Sequence, residues 1–381
     1  MPVGVDGDPP TRWGGSVAQV LASSTGGVGT HVYDLSRGLV AGGAAVTVCG
    51  PAATAEQFAF ARTGAGFRPV EIPARPRPSD ARAVRRLRRH LAELAPDVVH
   101  AHGLRAGLVA ALALRRGLRR PLVVTLHNAV ITRGVRGAAG RWAERVIARS
   151  AEVVLGASED LVARAAALGA SRAQLAPVAA PELPPPARSR AAVRAELGLD
   201  PGTPAVLSVG RLHPQKGYDT LVAAAARWRE LDPTPQVFIA GNGPSYLDLV
   251  GRISTSRAPV TLLGHRDDVA DLLTAADVAV VSSVWEARQL FAQEALRAGV
   301  PLVATAVGGL PGLVGEAAVL VPPKDVDALD AAVRRLLADP QLRERYARAG
   351  REQAATWPTS ADTLAQVCEV YADLTGIPAE A

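Results

Sequence analysis

The chain has 381 residues, of which 48% are hydrophobic and 20% are charged, and its formal net charge is +6. That length exceeds what one hydrophobic core usually holds, so we expect two domains. The longest uncharged apolar stretch, 106–114, is too short to span a bilayer, and no apolar run of signal-peptide length opens the chain. Two cysteines, Cys49 and Cys368, exclude a disulfide framework and favour a reducing, cytoplasmic location.

Positive charge is concentrated in the segment 82–120, which holds ten arginines against Glu93 and Asp97. Within 81–94, apolar side chains fall on one helical face and arginines on the other, which predicts a cationic amphipathic helix. Its arginines at 82–89 are either simply solvated or dock on an anionic surface such as the inner membrane face. Nucleic-acid binding is not expected, because only 4% of residues are aromatic and no recognition motif is present.

The first half of the chain alternates between predicted strands and helices. We expect strands at 16–23, 45–49, 97–100, 121–126 and 152–155, and helices at 32–41, 80–94, 103–116, 137–149 and 159–168. A glycine-rich turn at 24–31 follows the first strand, as in dinucleotide-binding folds. However, Val32 replaces the third glycine and Cys49 ends the strand that should supply an acidic residue, so nicotinamide binding is not expected. Such a turn favours an anion or a closely approaching sugar.

Histidines lie at the ends of two neighbouring predicted strands. His100 and His102 end one strand, and His127 follows the next. No carboxylate or cysteine completes a ligand set at usable spacing, so we expect no metal site. His127 is better suited to contact a sugar, whereas His100, inside its strand, is expected to be a hydrogen-bonded structural residue.

The second half repeats the alternation after a Pro- and Ala-rich connector with one short helix at 188–197. Strands are predicted at 205–209, 236–240, 260–263, 278–282, 301–305 and 318–321, with helices between them, the first at 218–231. Further helices are predicted at 326–338, 341–356 and 360–375. This pattern is typical of α/β proteins with parallel sheets. We therefore predict two Rossmann-like domains, 1–180 and 205–358, joined by a linker at 181–204. The last helix is expected to return to the first domain.

Charged residues of the second half converge on one edge of its predicted sheet. Lys216 stands in a turn after one buried strand, Glu286 in the turn after another, and Glu294 in the following helix. Ligands of open parallel sheets bind at the carboxyl ends of the strands. Lys216 is one of only two lysines among 42 basic residues, which favours a position that requires a compact charge, as in phosphate sites. Structural pairing of the two glutamates with nearby arginines is the alternative interpretation.

Six short motifs follow one another along the chain: Gly26-Gly27-Val28-Gly29, Gly210-Arg211 with Lys216-Gly217, Ala240-Gly241-Asn242-Gly243-Pro244, Gly264-His265-Arg266-Asp267-Asp268, Glu286 with Glu294, and Gly308-Gly309-Leu310-Pro311. Their order and spacing over about 16–375 resemble the family 4 retaining glycosyltransferases of GT-B fold. The resemblance implies two Rossmann-like domains facing across a cleft. It also implies transfer of a sugar from a UDP- or GDP-linked donor, held mainly by the second domain, to an acceptor hydroxyl, with the acceptor bound by the first domain.

The resemblance assigns roles to the motif residues. Arg211 and Lys216 would bind the donor diphosphate, and Glu294 would accept hydrogen bonds from the ribose. Glu286 would face the donor sugar at the reacting centre. Fixed cations would stabilise the leaving phosphate, so no metal and no cofactor other than the nucleotide-sugar co-substrate are expected.

Further contacts are implied around these groups. Gly241, Leu290 and Phe291 would line the donor site, and the segment at Arg266 would contact the base largely through its backbone. From the first domain, His127 would approach the sugar. Gly27 and Gly29 would lie close to the phosphate or the acceptor.

Two departures from the family pattern concern the same site. The usual Gly-Phe-Gly turn after the first glutamate is replaced by Ala287-Arg288-Gln289, so we expect extra side chains in the site and an altered sugar choice. An Asn-Gly segment ahead of the connector is replaced by residues 177–181. The alternative functions are a sugar-nucleotide epimerase of the same fold and a non-catalytic nucleotide-sugar-binding protein.

Overall fold

The computed structural model describes residues 11–24, 26–74, 77, 79–115, 117–130, 134–179 and 183–380, apart from the side chains of residues 135 and 136. The chain divides into an N-terminal unit, Met1–Ala179 with Pro358–Ala381, and a C-terminal unit, Ala180–Trp357. Thr25 of the predicted glycine-rich turn lies outside the described residues. Residues 180–182, which include the end of the replaced Asn-Gly segment and the start of the predicted linker, also lie outside the described residues.

The helices and strands alternate along the chain. The first are Arg12–Trp13 (β1), Ser16–Leu21 (β2), Gly27–Ala41 (α1), Ala45–Gly50 (β3), Ala52–Phe58 (α2), Gly66–Pro69 (β4), Asp80–Leu94 (α3), Val98–His102 (β5), Gly103–Leu114 (α4), Leu122–Leu126 (β6), Gly134–Ser150 (α5), Val153–Gly156 (β7), Glu159–Ala167 (α6) and Ala173–Leu175 (β8). Next come Arg190–Glu196 (α7), Ala205–Val209 (β9), Tyr218–Ala226 (α8), Gln236–Ala240 (β10), Tyr246–Ser256 (α9), Val260–Gly264 (β11), Val269–Ala275 (α10), Val278–Val281 (β12), Leu290–Arg297 (α11), Leu302–Thr305 (β13), Leu310–Val314 (α12), Ala318–Val321 (β14), Val326–Ala338 (α13) and Pro340–Ala355 (α14). The chain ends with Ser360–Thr375 (α15) and Ala379–Glu380 (β15).

A parallel sheet forms the centre of the N-terminal unit. Its seven described strands lie in the order β4-β3-β2-β5-β6-β7-β8. Every residue of β5 and β6 is buried, as expected for strands covered by helices on both faces. The chain runs toward one edge after β2 and toward the other after β5, so these two neighbours mark the point where the strand order reverses.

The last helix, α15, belongs to the N-terminal unit, which confirms the predicted return. Its buried face includes Cys368 and Tyr371, which join the core cluster that contains Trp13 and Val17. The rings of Trp13 and Tyr371 have centroids 4.9 Å apart. Strand β15, which follows α15, also packs in this unit, because it pairs antiparallel with β1.

The C-terminal unit has a second parallel sheet, with its six described strands in the order β11-β10-β9-β12-β13-β14. Hydrophobic clusters cover both faces: Val206 of β9 enters one cluster and its neighbour Leu207 enters the other. This follows from the alternation of side chains along a strand. Val193 of α7, in the predicted connector, is completely buried in the core of this unit.

The α/β class and the two parallel sheets are confirmed, and most element ends agree within a few residues. Three ends differ more: helix α1 begins at Gly27 instead of residue 32, α5 begins at Gly134, and α8 ends at Ala226, followed by a 3₁₀ turn at Arg227–Glu230. The sequence analysis missed α2, β4, β8 and the β1–β15 pair. Among the described residues, no helix combines the length and apolar character needed to cross a membrane.

Candidate functional site

The C-terminal sheet has its own reversal of strand order between β9 and β12, which are neighbours. In open α/β sheets, ligands bind in the crevice at the carboxyl ends of the two strands at such a point. Two loops leave the strands there: 210–217 after β9 and 282–289 after β12. The first carries Arg211 and Lys216, and the second carries Glu286.

Hydrogen bonds hold these two loops together. The backbone N–H of Val284 donates to the carbonyl oxygen of Gln215 over 2.8 Å, and the Gln215 side chain donates to the carbonyl of Trp285 over 2.9 Å. Gly217 makes the close approach feasible: its φ is +61°, and a Cβ atom there would lie 2.1 Å from the carbonyl oxygen of Ser282. The loops are therefore fixed relative to each other before any ligand binds.

Lys216 and Glu286 form an ion pair in this crevice. The distance from Lys216 Nζ to Glu286 Oε1 is 2.7 Å, and the side chains are 20% and 10% exposed. Ser283, the second residue after β12, donates its hydroxyl to the same carboxylate oxygen over 2.7 Å. The structure thus brings together two residues that the sequence analysis derived from separate motifs, and it adds Ser283, which that analysis missed.

The β9 loop is electropositive. Arg211 is exposed and makes no ion pair with any residue that the structure describes. Partial burial, followed by the positive charges of Arg211 and Lys216, lowers the pKa of His213 below its ordinary value. Arg211 and Lys216 therefore place two positive charges close to His213 in the β9 loop, and Arg211 is available to an anionic ligand.

Gly241 and Arg266 lie on the neighbouring strand ends. The N–H of Gly241 donates to the carbonyl of Gly264, and a Cβ atom at Gly241, where φ is +143°, would lie 2.1 Å from the carbonyl oxygen of Gly210. The Arg266 guanidinium donates to both carboxylate oxygens of Asp268 and to Glu196. Its side chain is thus engaged inside the unit, which leaves its backbone for the predicted contact with a base.

Helix α11 carries the remaining predicted donor-site residues. Leu290 is exposed, whereas the side chain of Phe291 is 2% exposed and belongs to the hydrophobic core. A ligand contact by Phe291 is therefore limited to its backbone, at the end of the helix where N–H groups lack intrahelical partners. Burial raises the pKa of Glu294, and the charge of Arg297 opposes that effect.

Two of the three side chains in the altered turn after Glu286 are packed inside the C-terminal unit. Ala287 is buried, and Gln289 caps α11 by accepting a hydrogen bond from the Ala292 N–H over 2.7 Å. The Arg288 guanidinium lies 5.6 Å from the ring centroid of Trp357. Burial, and secondarily the charge of Arg297, lowers the pKa of Arg288 to about 10. Ala287 and Gln289 are thus accommodated by packing and capping, whereas Nε and Nη2 of Arg288 are buried without a hydrogen-bond partner among the described residues.

The two predicted site glycines of the first motif, Gly27 and Gly29, differ in their surroundings. Helix α1 already includes Gly27, which is exposed, and Gly29, which is buried. A Cβ atom at Gly29 would lie 2.2 Å from the ring of Phe58. Gly29 therefore makes room for packing of this aromatic ring against α1, which is a structural role.

Three histidines of the N-terminal unit, His100, His102 and His127, lie at the carboxyl ends of β5 and β6. His100 is fully hydrogen-bonded, as expected: its Nδ1 is 2.7 Å from the Tyr371 hydroxyl and its Nε2 is 2.7 Å from Thr125 Oγ1. No carboxylate or cysteine joins His102 and His127 in the described part of the chain, but a third imidazole does. His31 of α1 joins His102 and His127, and one ring nitrogen from each lies within 4.8 Å of the others. Nothing in the sequence spacing indicated His31, because only the sheet order brings α1 beside β5 and β6.

Comparisons with known proteins agree with this architecture. Residues 26–181 match the family described as Glycosyl transferase 4-like domain, and residues 189–353 match Glycosyl transferases group 1. A glycogen synthase of Mycobacterium tuberculosis is 34% identical over 71% of this chain and 68% of its own. An alpha-D-kanosaminyltransferase of Streptomyces kanamyceticus is 32% identical over 72% of this chain and 77% of its own. The crystal structure of Anabaena Alr3699/HepE in complex with UDP-glucose superposes with a TM-score of 0.77 at 21% identity, covering 94% of this chain and 100% of that one.

Proposed function

The chain belongs to the family 4 glycosyltransferases of GT-B fold, and we propose that it transfers a sugar from a UDP- or GDP-linked donor to an acceptor hydroxyl with retention of configuration. The observation that carries the proposal is the Lys216–Glu286 pair at the strand-order reversal of the C-terminal sheet. The UDP-glucose complex of the structurally similar Anabaena Alr3699/HepE supports a nucleotide-sugar donor.

In this proposal Arg211 and Lys216 hold the donor diphosphate. Arg211 is exposed and has no ion-pair partner in the described part of the chain, while Lys216 is oriented by Glu286 at 2.7 Å. Charge-assisted hydrogen bonds contribute about 1.5–3 kcal/mol each. Because the loops are fixed by their own hydrogen bonds, these cations stabilise the leaving phosphate without rearranging, and the transfer needs no metal at the diphosphate.

The proposed reaction exchanges one bond for another at the anomeric carbon. The bond from this carbon to the phosphate oxygen breaks, the acceptor oxygen forms the new bond on the same face, and the acceptor proton passes to the leaving phosphate. We assign Glu286 to the donor sugar, where Ser283 fixes the carboxylate over 2.7 Å. No second catalytic carboxylate at glycosidase spacing is required.

We assign the other donor contacts to residues of α11 and to the loops after β10 and β11. Glu294 accepts hydrogen bonds from the ribose hydroxyls, and the backbone at Gly241 and Arg266 contacts the base. Leu290 and Phe291 offer backbone N–H groups at the start of α11. We assign acceptor recognition to the N-terminal unit, with His127 as a polar sugar contact. Gly29 has no part in this assignment, because the Phe58 ring occupies the space beside its Cα atom.

We propose that the enzyme works in the cytoplasm. Cys49 and Cys368 are both buried and free, and burial raises the pKa of the Cys368 thiol to about 11, so that it stays protonated. Free thiols of this kind persist in a reducing compartment.

Product analysis tests this function against its alternatives. The chain is incubated with UDP- and GDP-sugars and a panel of acceptors, and glycosides are detected by mass spectrometry. We expect a transferred glycoside, and a loss of turnover of at least about a hundred-fold in Glu286→Ala while nucleotide binding persists. Glu316→Ala, which removes an exposed carboxylate of the same unit, is the control.

Two outcomes would contradict the proposal. An epimerised nucleotide sugar without any glycoside would indicate the epimerase. Unchanged, negligible turnover in both the wild type and Glu286→Ala, with intact nucleotide binding, would indicate a non-catalytic nucleotide-sugar-binding protein.

A further inference from the structure

Three imidazoles of the N-terminal unit lie close together. His31 comes from α1, His102 ends β5, and His127 follows β6. Their ring centroids are separated by 5.4 Å for His31–His102, 5.3 Å for His31–His127 and 5.9 Å for His102–His127. The three rings thus form a nearly equilateral triangle, which we call the histidine triangle.

The histidine triangle lies where the topology favours a ligand. In this sheet the strand order reverses between β2 and β5, and His102 is the last residue of β5, paired with Leu21 at the end of β2. His31 lies on the helix that follows β2, and His127 directly follows β6. The carboxyl ends of strands at such a reversal are the usual binding position in open α/β sheets.

A chain of hydrogen bonds fixes which nitrogen of His102 is protonated. Gln19 donates its amide N–H to the Tyr371 hydroxyl over 3.1 Å, so its carbonyl oxygen faces His102 Nε2 at 2.6 Å. A carbonyl oxygen only accepts, and Nε2 therefore carries the proton. The lone pair of His102 is on Nδ1, and this arrangement resembles the outer-shell hydrogen bonds that orient metal-binding histidines.

Two ring nitrogens in the histidine triangle have no hydrogen-bond partner. These are His102 Nδ1 and His127 Nε2, which are buried and unpaired among the residues that the structure describes. His102 itself is 2% exposed. Buried polar atoms in native proteins are almost always satisfied, so an unpaired nitrogen beside two other imidazoles calls for a ligand.

Burial favours the neutral form of the three rings. Burial lowers the pKa of His31 to about 4, and it lowers the pKa of His102 and His127 well below the ordinary value. Neutral imidazole is the form that binds metal ions.

We propose that His31, His102 and His127 bind one divalent zinc-type ion and leave its fourth coordination position open. At Zn–N distances of about 2.0–2.1 Å in tetrahedral geometry, three imidazole centroids stand roughly 5 Å apart, close to the separations of the histidine triangle. A set of imidazoles without carboxylates selects zinc, copper or nickel over magnesium and calcium. The open position would take an oxygen of water or of a bound molecule. His127 binds the ion through one ring nitrogen, and its other ring nitrogen stays available for the proposed contact with a sugar.

Metal titration of the full, tag-free chain tests this site without reference to activity, so the result does not depend on the proposed function. We expect one equivalent of Zn²⁺ by calorimetry, and a visible spectrum typical of tetrahedral coordination when Co²⁺ is used. His31→Ala and His127→Ala should each weaken Zn²⁺ binding at least about ten-fold, since even outer-shell changes have effects of that size. His265→Ala, which removes an imidazole that is 70% exposed in the C-terminal unit, should bind as the wild type does.

The absence of stoichiometric Zn²⁺ binding to the wild type would overturn the proposal. So would wild-type affinity in a folded His31→Ala or His127→Ala chain, or equal weakening in His265→Ala. Circular dichroism establishes that each variant is folded. If a variant fails to fold, the stoichiometry and the Co²⁺ spectrum of the intact wild type still decide the matter, because a six-coordinate Co²⁺ spectrum would contradict a site of three imidazoles and one open position.

Discussion

At the scale of residues, the Lys216–Glu286 pair connects the stability of the C-terminal unit with its chemistry. The two residues are 70 positions apart and their charged atoms are 2.7 Å apart. Removing one partner of a pair that is largely shielded from water leaves the other charge uncompensated. The same arrangement that orients Lys216 for a phosphate should therefore also hold the two loops together.

We expect Lys216→Ala to lower the free energy of unfolding by about 3 kcal/mol in the absence of ligand. The double variant Lys216→Ala/Glu286→Ala should lose less than the sum of the two single variants, because it leaves no unpaired charge. Urea unfolding measures both quantities. Lys324→Ala, at the chain's other lysine, is exposed and should change stability by less than about 0.5 kcal/mol. Additive losses in the double variant would show that the two side chains do not interact.

The residues of this pair could be predicted from the sequence, whereas the histidine triangle could not. Lys216 and Glu286 each follow a buried apolar strand and stand in a recognisable motif, so local pattern was sufficient. His31 lies one turn into a helix, and its closeness to His102 and His127 depends on the order of the strands in the sheet. Spacing along the chain contains no information on that order.

At the scale of elements, α15 is joined to the N-terminal sheet by polar as well as apolar contacts. The Tyr371 hydroxyl accepts a hydrogen bond from Gln19 of β2 over 3.1 Å and lies 2.7 Å from His100 Nδ1 of β5. Since Gln19 supplies one hydrogen bond, the Tyr371 hydroxyl donates to His100. Loss of this group would leave two buried polar atoms without partners.

We expect Tyr371→Phe to lower the free energy of unfolding by about 1–3 kcal/mol, because the buried partners lose their hydrogen bonds without regaining water. Chemical unfolding followed by circular dichroism provides the measurement. Tyr246→Phe serves as the matched control, since this tyrosine is 45% exposed. An equal effect in both variants would show that the hydroxyl of Tyr371 contributes nothing specific.

Helix α3 has the amphipathic character that the sequence predicts. Leu87 and Leu91 are completely buried, while Arg86 and Arg89 are exposed. If this face docks on anionic membrane, as we hypothesise, each arginine contributes about 1 kcal/mol near the surface. The variant Arg86→Gln/Arg89→Gln should then bind anionic vesicles about 30-fold more weakly at low salt.

Sedimentation with vesicles of phosphatidylserine and phosphatidylcholine checks this hypothesis. The control variant Arg345→Gln/Arg348→Gln removes two exposed arginines from α14 and should sediment like the wild type. If the wild type does not sediment with anionic vesicles, or if both variants weaken binding equally, the helix is only a solvated surface.

The two strands of the N-terminal sheet that the sequence analysis missed share a physical cause. Strands β4 and β8 lie at the two edges of their sheet and contain four and three residues. Strand β4 begins with Gly66 and ends with Pro69, residues that count against a strand interior but are tolerated at an edge. Apolar periodicity identifies the long, buried central strands, and it has little to detect in such short edge strands.

At the scale of the whole molecule, the two units share the same type of architecture. Each unit has a parallel sheet with a reversal of strand order, and each places polar side chains at the carboxyl ends of the strands beside that reversal. The C-terminal unit presents cations and carboxylates there, which suits a diphosphate and a sugar. The N-terminal unit presents imidazoles. The alternation of strands and helices predicted both sheets, but it did not predict which side chains would meet.

Calorimetric titration of UDP, GDP and ADP into the wild type and Lys216→Ala tests the central claim most directly. We predict that UDP or GDP binds to the wild type and that Lys216→Ala loses at least about 1.5 kcal/mol of binding free energy, the contribution of one charge-assisted hydrogen bond. Lys324→Ala should bind that nucleotide as the wild type does. If none of the three nucleotides binds, or if Lys216→Ala binds as tightly as the wild type, the C-terminal strand ends do not form the diphosphate site.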